Sequence, residues 1–308
     1  MSAATDAVAA AAIDERLLGW AEAEGYENVW VDGPDGTRLR AVVGGPEGAP
    51  RVVFLHGAPQ HAYCWRAVLR LVRERVRFVA PDLRGYGASG VAADGRYDVE
   101  RLAEDVDAIV DATGGGPVVL VGHDWGGAAA WHYAMTRPAR LRHLVAVNAP
   151  HPAAYAREMR RPEQLIKGWY VFFLQAPGVE RLLAFDGLAL ASWLFRKTAP
   201  PGFFGDDLDM YLDAIARPGR LEAGVAYYRQ AFPRSLDGLR DGAVAPPVEV
   251  PTTVVWGEAD VALSRSHPET LKPFVRRMRV ERLPDVSHWV PEERPRAVAD
   301  AVLAALEK

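Results

Sequence analysis

A carboxylate lies in the tight segment Gly122-His123-Asp124-Trp125-Gly126-Gly127, directly after an apolar run and directly before a helical pattern. Small residues two before, two after and three after Asp124 let the chain turn sharply from strand to helix and hold the central side chain exposed. Serine usually occupies the centre of such a turn. An aspartate there is either a carboxylate nucleophile, which needs no base to activate it, or a cap on the following helix.

Two further groups follow in the chain order expected for a nucleophile, an acid and a histidine. Asp260 comes just past an apolar run, and His288 lies in a loop before the last helical pattern. This order predicts that His288 acts as a base and that Asp260 orients it. Glu258 and Asp285 are rivals for the orienting role, but Glu258 is two residues nearer the strand and Asp285 is more typical of a solvated loop.

A second loop, Leu55-His56-Gly57-Ala58-Pro59, also follows an apolar run directly. The backbone N–H groups of Ala58 and Trp125 are candidates to converge on one oxygen and form an oxyanion hole. His56 is an alternative base, although a histidine in such a loop is more often part of the scaffold. Under either interpretation, we expect this loop to lie over the same site as Asp124.

The composition excludes several classes of function. The 308 residues are 49% hydrophobic and carry a net charge of −4, so neither nucleic acid nor an anionic membrane surface is an expected partner. No apolar run is long enough for a membrane span. His56 and His61 lack metal-ligand spacing and Cys64 is the only cysteine, so we expect no metal, no cofactor and no disulfide framework, with Cys64 as a small buried side chain rather than a reactive thiol.

The organisation of the chain indicates an α/β fold with a mostly parallel sheet. Unbroken apolar runs are typical of strands that are buried on both faces, and they occur at 51–55, 77–80, 117–121, 143–147 and 252–256. Helical patterns lie near 62–73, 98–112, 127–137 and 292–306. A hairpin-like turn at 32–36 joins the segments 27–31 and 37–43.

The alternation of predicted strands and helices stops between 150 and 246, where aromatic residues are frequent and no strand is predicted. We therefore expect a helical cap over 150–246, inserted between core strands above the ends where such sheets bind ligands. The core then comprises 1–149 and 247–308. Its first 25 residues are an N-terminal extension without the basic start of a signal peptide, so we expect an Ala-rich tail that leads into a short helix, and a cytoplasmic protein.

These motifs together resemble the epoxide hydrolases of the α/β-hydrolase fold, which are related to haloalkane and haloacetate dehalogenases. The resemblance extends from about residue 26 to the C-terminus and is carried by the two loops above, by Gly85-Tyr86-Gly87-Ala88-Ser89, by Trp256-Gly257-Glu258-Ala259-Asp260 and by Ser287-His288-Trp289. It implies an α/β-hydrolase fold with a helical cap, Asp124 as nucleophile and a covalent alkyl-ester intermediate. No cofactor or metal is implied.

The resemblance also implies two cap tyrosines that bind the epoxide oxygen. Tyr170 precedes Gln175-Ala176-Pro177-Gly178 and Tyr228 is followed by Arg229, as in that family. Both tyrosines are alternatively core aromatics, and the adjacent Tyr227 is an alternative donor. We also expect the substrate to contact Pro59, Trp125 and Trp169.

The expected substrate is a small epoxide, apolar or aryl-bearing, and the product a vicinal diol. A dehalogenase is the alternative, because it uses the same carboxylate and histidine and because Trp125 and Trp169 offer N–H donors to a halide. A non-catalytic binding protein on the same fold is the second alternative. The sequence leaves the natural substrate, the selectivity and the oligomeric state open, with a homodimer as one option.

Overall fold

The structure is a computed structural model that describes residues 15–241 and 245–307, with side chains included except in 234–241. It begins with a short helix, α1 (15–23), at the position where the sequence predicted one. Residues 1–14, where the Ala-rich tail was expected, lie outside the described residues. Residues 242–244, between the cap and the second part of the core, also lie outside the described residues.

Eight strands form one sheet in the order β1-β2-β4-β3-β5-β6-β7-β8. Strand β2 is antiparallel to both β1 and β4, whereas every other neighbouring pair is parallel. The strands are β1 (Glu27–Asp32), β2 (Arg38–Gly44), β3 (Arg51–Leu55), β4 (Arg77–Pro81), β5 (Val118–His123), β6 (Leu141–Val147), β7 (Thr252–Gly257) and β8 (Met278–Leu283). The predicted hairpin and all five predicted apolar strands are therefore confirmed.

Strand β5 explains why its sequence is apolar without alternation. Val118 and Leu120 belong to one hydrophobic cluster, and Val119 and Val121 belong to another. Successive side chains of a strand point to opposite faces, so each face of β5 is covered by its own core. The central strand is consequently fixed on both sides where it enters the turn at Asp124.

The sequence analysis missed β8, which is the edge strand of the sheet. Met278–Leu283 reads MRVERL and is only half-buried along most of its length. A search for unbroken apolar runs passes over such a strand, because a strand with one solvent-facing side alternates polar and apolar residues. The strand matters for the site, since the loop that follows it carries His288.

Helices cover both faces of the sheet. On one face α3 packs against α4, and on the other α2 packs against α13. The core helices are α2 (Arg66–Val72), α3 (Val99–Ala112), α4 (Asp124–Thr136), α11 (His267–Thr270), α12 (Val290–Glu293) and α13 (Pro295–Leu306). The predicted helical stretches are confirmed, except that the last divides at Arg294 into two helices.

The cap lies between β6 and β7, as predicted. Its described part contains helices and loops without a strand, namely α5 (Pro152–Glu158), α6 (Pro162–Lys167), α7 (Trp169–Phe173), α8 (Val179–Lys197), α9 (Asp207–Ala216) and α10 (Arg220–Asp241). The backbone leaves helical geometry within α8 at Phe185–Leu188, where Asp186 and Leu188 adopt positive φ angles of 51° and 69°. Helix α10 packs on α5, α8 and α9 and so spans the cap.

Candidate active site

The turn between β5 and α4 holds Asp124 in a left-handed conformation, with a φ angle of 49°. The turn needs its glycines because the backbone passes very close to itself. A Cβ added at Gly122 would lie 2.6 Å from the carbonyl oxygen of Gly126, and one at Gly126 would lie 2.3 Å from that of Leu55. The strained φ is maintained by this close packing, and it lifts the carboxylate above the end of the sheet.

The structure brings His288 and Asp260 to this carboxylate. The Nδ1 atom of His288 lies 2.7 Å from Oδ2 of Asp260, and its Nε2 atom lies 3.6 Å from Oδ2 of Asp124. Asp260 is 1% exposed and His288 is 5% exposed, so water screens neither charge well. The three groups therefore form the carboxylate–imidazole–carboxylate series that their chain order predicted.

The electrostatics of this series follow from burial and mutual attraction. Burial opposes ionisation of Asp124, but His288 and the N–H of Ala58 outweigh it and lower the pKa of the Asp124 carboxyl. Burial likewise opposes a charge on His288, but the carboxylates of Asp260 and Asp124 raise its pKa to about 10. An ionised Asp124 is the form that a nucleophile requires.

Asn148 is a functional residue that the sequence analysis missed. Its Nδ2 atom donates to Oδ2 of Asp260 at 2.7 Å, and its Oδ1 accepts from the N–H of Gly257 at 2.6 Å. Asn148 also has a positive φ of 36°, which aims the side chain across to the neighbouring strand. A polar residue directly after the apolar strand β6 was the available signal, because ligand-side groups cluster at the C-terminal ends of parallel strands.

The rivals of Asp260 and His288 lie in other environments. Glu258 forms an ion pair with Arg282, and Asp285 is exposed. His56 is fully buried: its Nδ1–H donates to the carbonyl of Gly57 at 2.9 Å, and its Nε2 accepts from the N–H of Leu83 at 2.8 Å. Burial lowers the pKa of His56, so the ring is neutral and fixes the loop rather than the reactants.

The loop after β3 places an N–H donor on the nucleophile. The backbone N–H of Ala58 donates to Oδ1 of Asp124 at 2.9 Å, whereas Oδ2 of the same carboxylate faces His288. The two oxygens of Asp124 are thus in different environments. Ala58 and Trp125 are adjacent to this carboxylate in space and in sequence respectively, as an oxyanion hole would require.

The cap places two tyrosines opposite Asp124. Tyr170, on α7, and Tyr228, on α10, border the same cavity as Asp124, and their rings meet edge to face with centroids 5.8 Å apart. Burial raises the pKa of both phenols well above the ordinary value of 10.0, so both carry their protons at neutral pH. Tyr227 differs, since its hydroxyl is buried away from the cavity and donates to the carbonyl of Arg84 at 2.8 Å.

The cavity has a volume of about 470 Å³ and lies between the core and the cap. Pro59 and Trp169, both predicted to contact the substrate, line it. The lining does not include Trp125, whose ring packs edge-on against Tyr228 at a centroid distance of 5.1 Å. The cap contributes most of the apolar lining, including Trp169, Phe173, Trp193 and Phe195, and the core adds Trp289.

The described residues also bear on metal binding and on membrane association. Among residues 15–241 and 245–307, no group of three or more His, Cys, Asp or Glu side chains is arranged to hold a metal ion. Within those same residues, no helix is long and apolar enough to cross a membrane. Cys64 is buried, and burial raises the pKa of its thiol well above the usual range, as expected for a packing residue.

Comparison with known proteins agrees with this geometry. Residues 50–295 match the family model described as alpha/beta hydrolase fold. The chain is 32% identical to epoxide hydrolase 4 of Mus musculus over 283 residues, which cover 89% of this chain and 77% of the relative. The chain therefore belongs to the epoxide hydrolase family of the α/β-hydrolase fold.

Solved structures are similar over nearly the whole chain. A structure described as one of the novel epoxide hydrolases from metagenomes of hot environments has a TM-score of 0.80 and 30% identity, covering 91% of this chain and 98% of its own. The epoxide hydrolase of Bacillus megaterium, solved with an inhibitor, has a TM-score of 0.81 and 25% identity, covering 92% of this chain and 100% of its own.

Proposed function

We propose that this protein hydrolyses an epoxide to a vicinal diol through a covalent alkyl ester on Asp124. One observation carries the proposal: a carboxylate, an imidazole and two phenols border a single apolar cavity, contributed by Asp124, His288, Tyr170 and Tyr228. The carboxylate and imidazole supply the two chemical steps of ester formation and ester hydrolysis. The phenols supply the proton that an alkoxide leaving group needs.

The first step is ring opening. The Oδ2 atom of Asp124 attacks a ring carbon, the carbon–oxygen bond breaks, and the electron pair goes to the epoxide oxygen. That oxygen takes a proton from the phenol of Tyr170 or Tyr228, both of which are protonated because burial raises their pKa values. General-acid help of this kind commonly accelerates a reaction by roughly 10²–10⁴-fold.

The second step is hydrolysis of the ester. Alkylation removes the negative charge of Asp124, which is one of the two carboxylates that raise the pKa of His288 to about 10. The imidazolium then gives up its proton more easily, and this proton returns to the phenolate that ring opening left in the cap. The neutral imidazole accepts a proton from water, and the resulting hydroxide attacks Cγ of Asp124. The oxyanion develops on Oδ1, which already accepts from the N–H of Ala58, with Trp125 as the second donor. The Cγ–Oδ2 bond breaks, the leaving alkoxide takes the remaining proton of the attacking water, and the diol leaves while Asp124 becomes a carboxylate again.

A halide leaving group fits this cavity less well than an alkoxide. Of the two indoles considered as halide donors, Trp169 lines the cavity, whereas Trp125 packs against Tyr228 and is not part of the lining. The two protonated phenols match an oxygen that becomes negatively charged. The substrate that we propose is therefore an epoxide, apolar or aryl-bearing in keeping with the aromatic lining.

The proposal is tested with a panel of styrene-type epoxides, aliphatic epoxides and haloalkanes, in which diol and released halide are both measured. A single turnover in ¹⁸O-water then follows the oxygen. Label is expected in the peptide that contains Asp124, because hydroxide attacks the carboxyl carbon of the enzyme. Diol that forms without any label in that peptide would rule out the ester, and halide without diol would favour the dehalogenase alternative.

The assembly and location of the protein stay predictions from the sequence. A homodimer is tested by the molecular mass in solution at two protein concentrations. A cytoplasmic location is tested by fractionation of the cells that produce the protein. Neither outcome alters the chemistry proposed for Asp124.

A further inference from the structure

A glutamine of the cap is buried completely against the core. Gln164 lies on α6 and is 0% exposed. Its side-chain amide makes three hydrogen bonds, and all three go to one core segment, residues 258–267, which we call the acid loop because it carries Asp260. The Nε2 atom donates to the carbonyl of Ala262 at 2.9 Å, and Oε1 accepts from the N–H of Ser264 at 2.8 Å and from Nε2 of His267 at 2.9 Å.

Asp260 holds the same loop from the other side. Its Oδ1 accepts from the N–H of Ala262 at 2.7 Å and from that of Leu263 at 3.0 Å. Ala262 is thus held by Asp260 through its N–H and by Gln164 through its carbonyl. The position of the acid therefore depends on a side chain that the cap contributes.

The helix that carries Gln164 leads directly to a cap tyrosine. Only Gly168 separates α6 from α7, and Tyr170 is the second residue of α7. Helix α6 makes a further contact with the acid loop: the ammonium group of Lys167 donates to the backbone carbonyl of Asp260. The acid loop and Tyr170 are in this way joined through a single short helix.

We propose that Gln164 is a positioning residue that holds the proton donor Tyr170 and the acid Asp260 in a fixed relation. The proposal rests on the function given above. An amide side chain offers a donor to Ala262 and an acceptor to Ser264 and His267 at once. Displacement of a catalytic group by about 1 Å can lower a rate by roughly 10²-fold, so the contact has a measurable consequence.

The test separates positioning from folding by single-turnover kinetics. In Gln164→Leu, the size of the side chain is nearly kept and all three hydrogen bonds are lost. We expect the rate constants of ring opening and of ester hydrolysis each to fall by about 10–100-fold per active site. The amount of ester formed in the burst counts the active sites. A variant that only folds less well has a smaller burst with unchanged rate constants, and that outcome would overturn the proposal.

A matched control is Gln230→Leu. Gln230 also joins the cap to the core with its amide, accepting from the N–H of Tyr97 at 2.7 Å and donating to the carbonyl of Gly95 at 2.8 Å. Those partners lie outside the acid loop. The control should therefore keep both rate constants close to those of the wild type, and an equal loss in both variants would contradict a special role of Gln164.

Gln164→Glu gives a signature that unfolding does not produce. In the ionised form of the substituted side chain, one oxygen still accepts from Ser264, but the other faces the carbonyl of Ala262 and repels it. In the protonated form, that second oxygen carries a hydrogen and can donate to the carbonyl. The ratio of variant to wild-type rate constants should therefore rise as the pH falls. A ratio that is independent of pH would overturn the proposal. If the wild type forms no diol, the proposed function fails; if it does and both variants match it, only the role of Gln164 fails.

Discussion

The core and the cap hold their reactive groups in different ways. In the core, Asp124, Asp260 and His288 each follow the C-terminal end of a strand, namely β5, β7 and β8. In the cap, Tyr170 and Tyr228 lie within helices and reach the site only because those helices pack over the sheet. The core positions are set by the topology of the sheet, whereas the cap positions are set by helix packing.

The contacts around these groups differ in the same way. Asp260 accepts hydrogen bonds from His288, Asn148 and two backbone N–H groups of its own loop. Tyr228 has one side-chain hydrogen bond, with Trp125, and is otherwise held by ring contacts to Trp125 at 5.1 Å and to Tyr170 at 5.8 Å between centroids. Hydrogen bonds constrain direction more tightly than ring packing does. In the proposed mechanism, the core supplies the attacking oxygen and the base for ester hydrolysis, and the cap protonates the leaving oxygen during ring opening.

Replacement of the nucleophile should have the largest effect. Asp124→Ala removes the attacking oxygen, so diol formation should fall by roughly 10⁴-fold or more. The measurement is the rate of diol formation at saturating epoxide, together with the mass of the intact protein, which should show no adduct. Substantial residual turnover would mean that water is activated directly and that no ester forms, which would break the proposed division between core and cap.

Replacement of the base should separate the two steps. His288→Gln leaves Asp124 and the cap tyrosines in place, so ring opening continues while ester hydrolysis slows by roughly 10²–10⁴-fold. The ester should accumulate, and the intact protein should gain the mass of one substrate molecule. Asp285→Asn is the control, because this exposed carboxylate lies in the same loop without contacting the histidine of the site. An inactive His288→Gln variant that never gains mass contradicts the assignment.

The difference between the regions also explains what could be predicted from the sequence. Asp124, Asp260 and His288 each follow an apolar run or precede a helix, so local pattern and chain order predicted that these three residues lie together. In the cap, Tyr227 and Tyr228 are adjacent on one helix and point about 100° apart, and only the packing of α10 decides which faces the cavity. Gln164 was not predictable, since its partners lie 98 to 103 residues along the chain.

Removal of the cap phenols should slow ring opening alone. With Tyr170 and Tyr228 both changed to Phe, the single-turnover rate of ester formation should fall by roughly 10²–10⁴-fold, because the alkoxide loses its proton donors. Hydrolysis of any ester that forms should keep its rate constant. Tyr227→Phe is the matched control: it removes the hydrogen bond to the Arg84 carbonyl and costs about 1 kcal/mol of stability, without changing ring opening.

The smallest expected effect is on stability as a function of pH. Because the folded protein raises the pKa of His288 from 6.5 to about 10, this group stabilises the fold fully below pH 6.5 and loses that contribution as the pH rises through about 10. The phenols of Tyr170 and Tyr228 begin to affect stability only as the pH approaches 10.0, the ordinary pKa of a phenol. Denaturant unfolding of the wild type and of His288→Gln at several pH values measures it. The difference in unfolding free energy between them should shrink as the pH rises, and parallel curves would contradict the charged pair of His288 with Asp124 and Asp260.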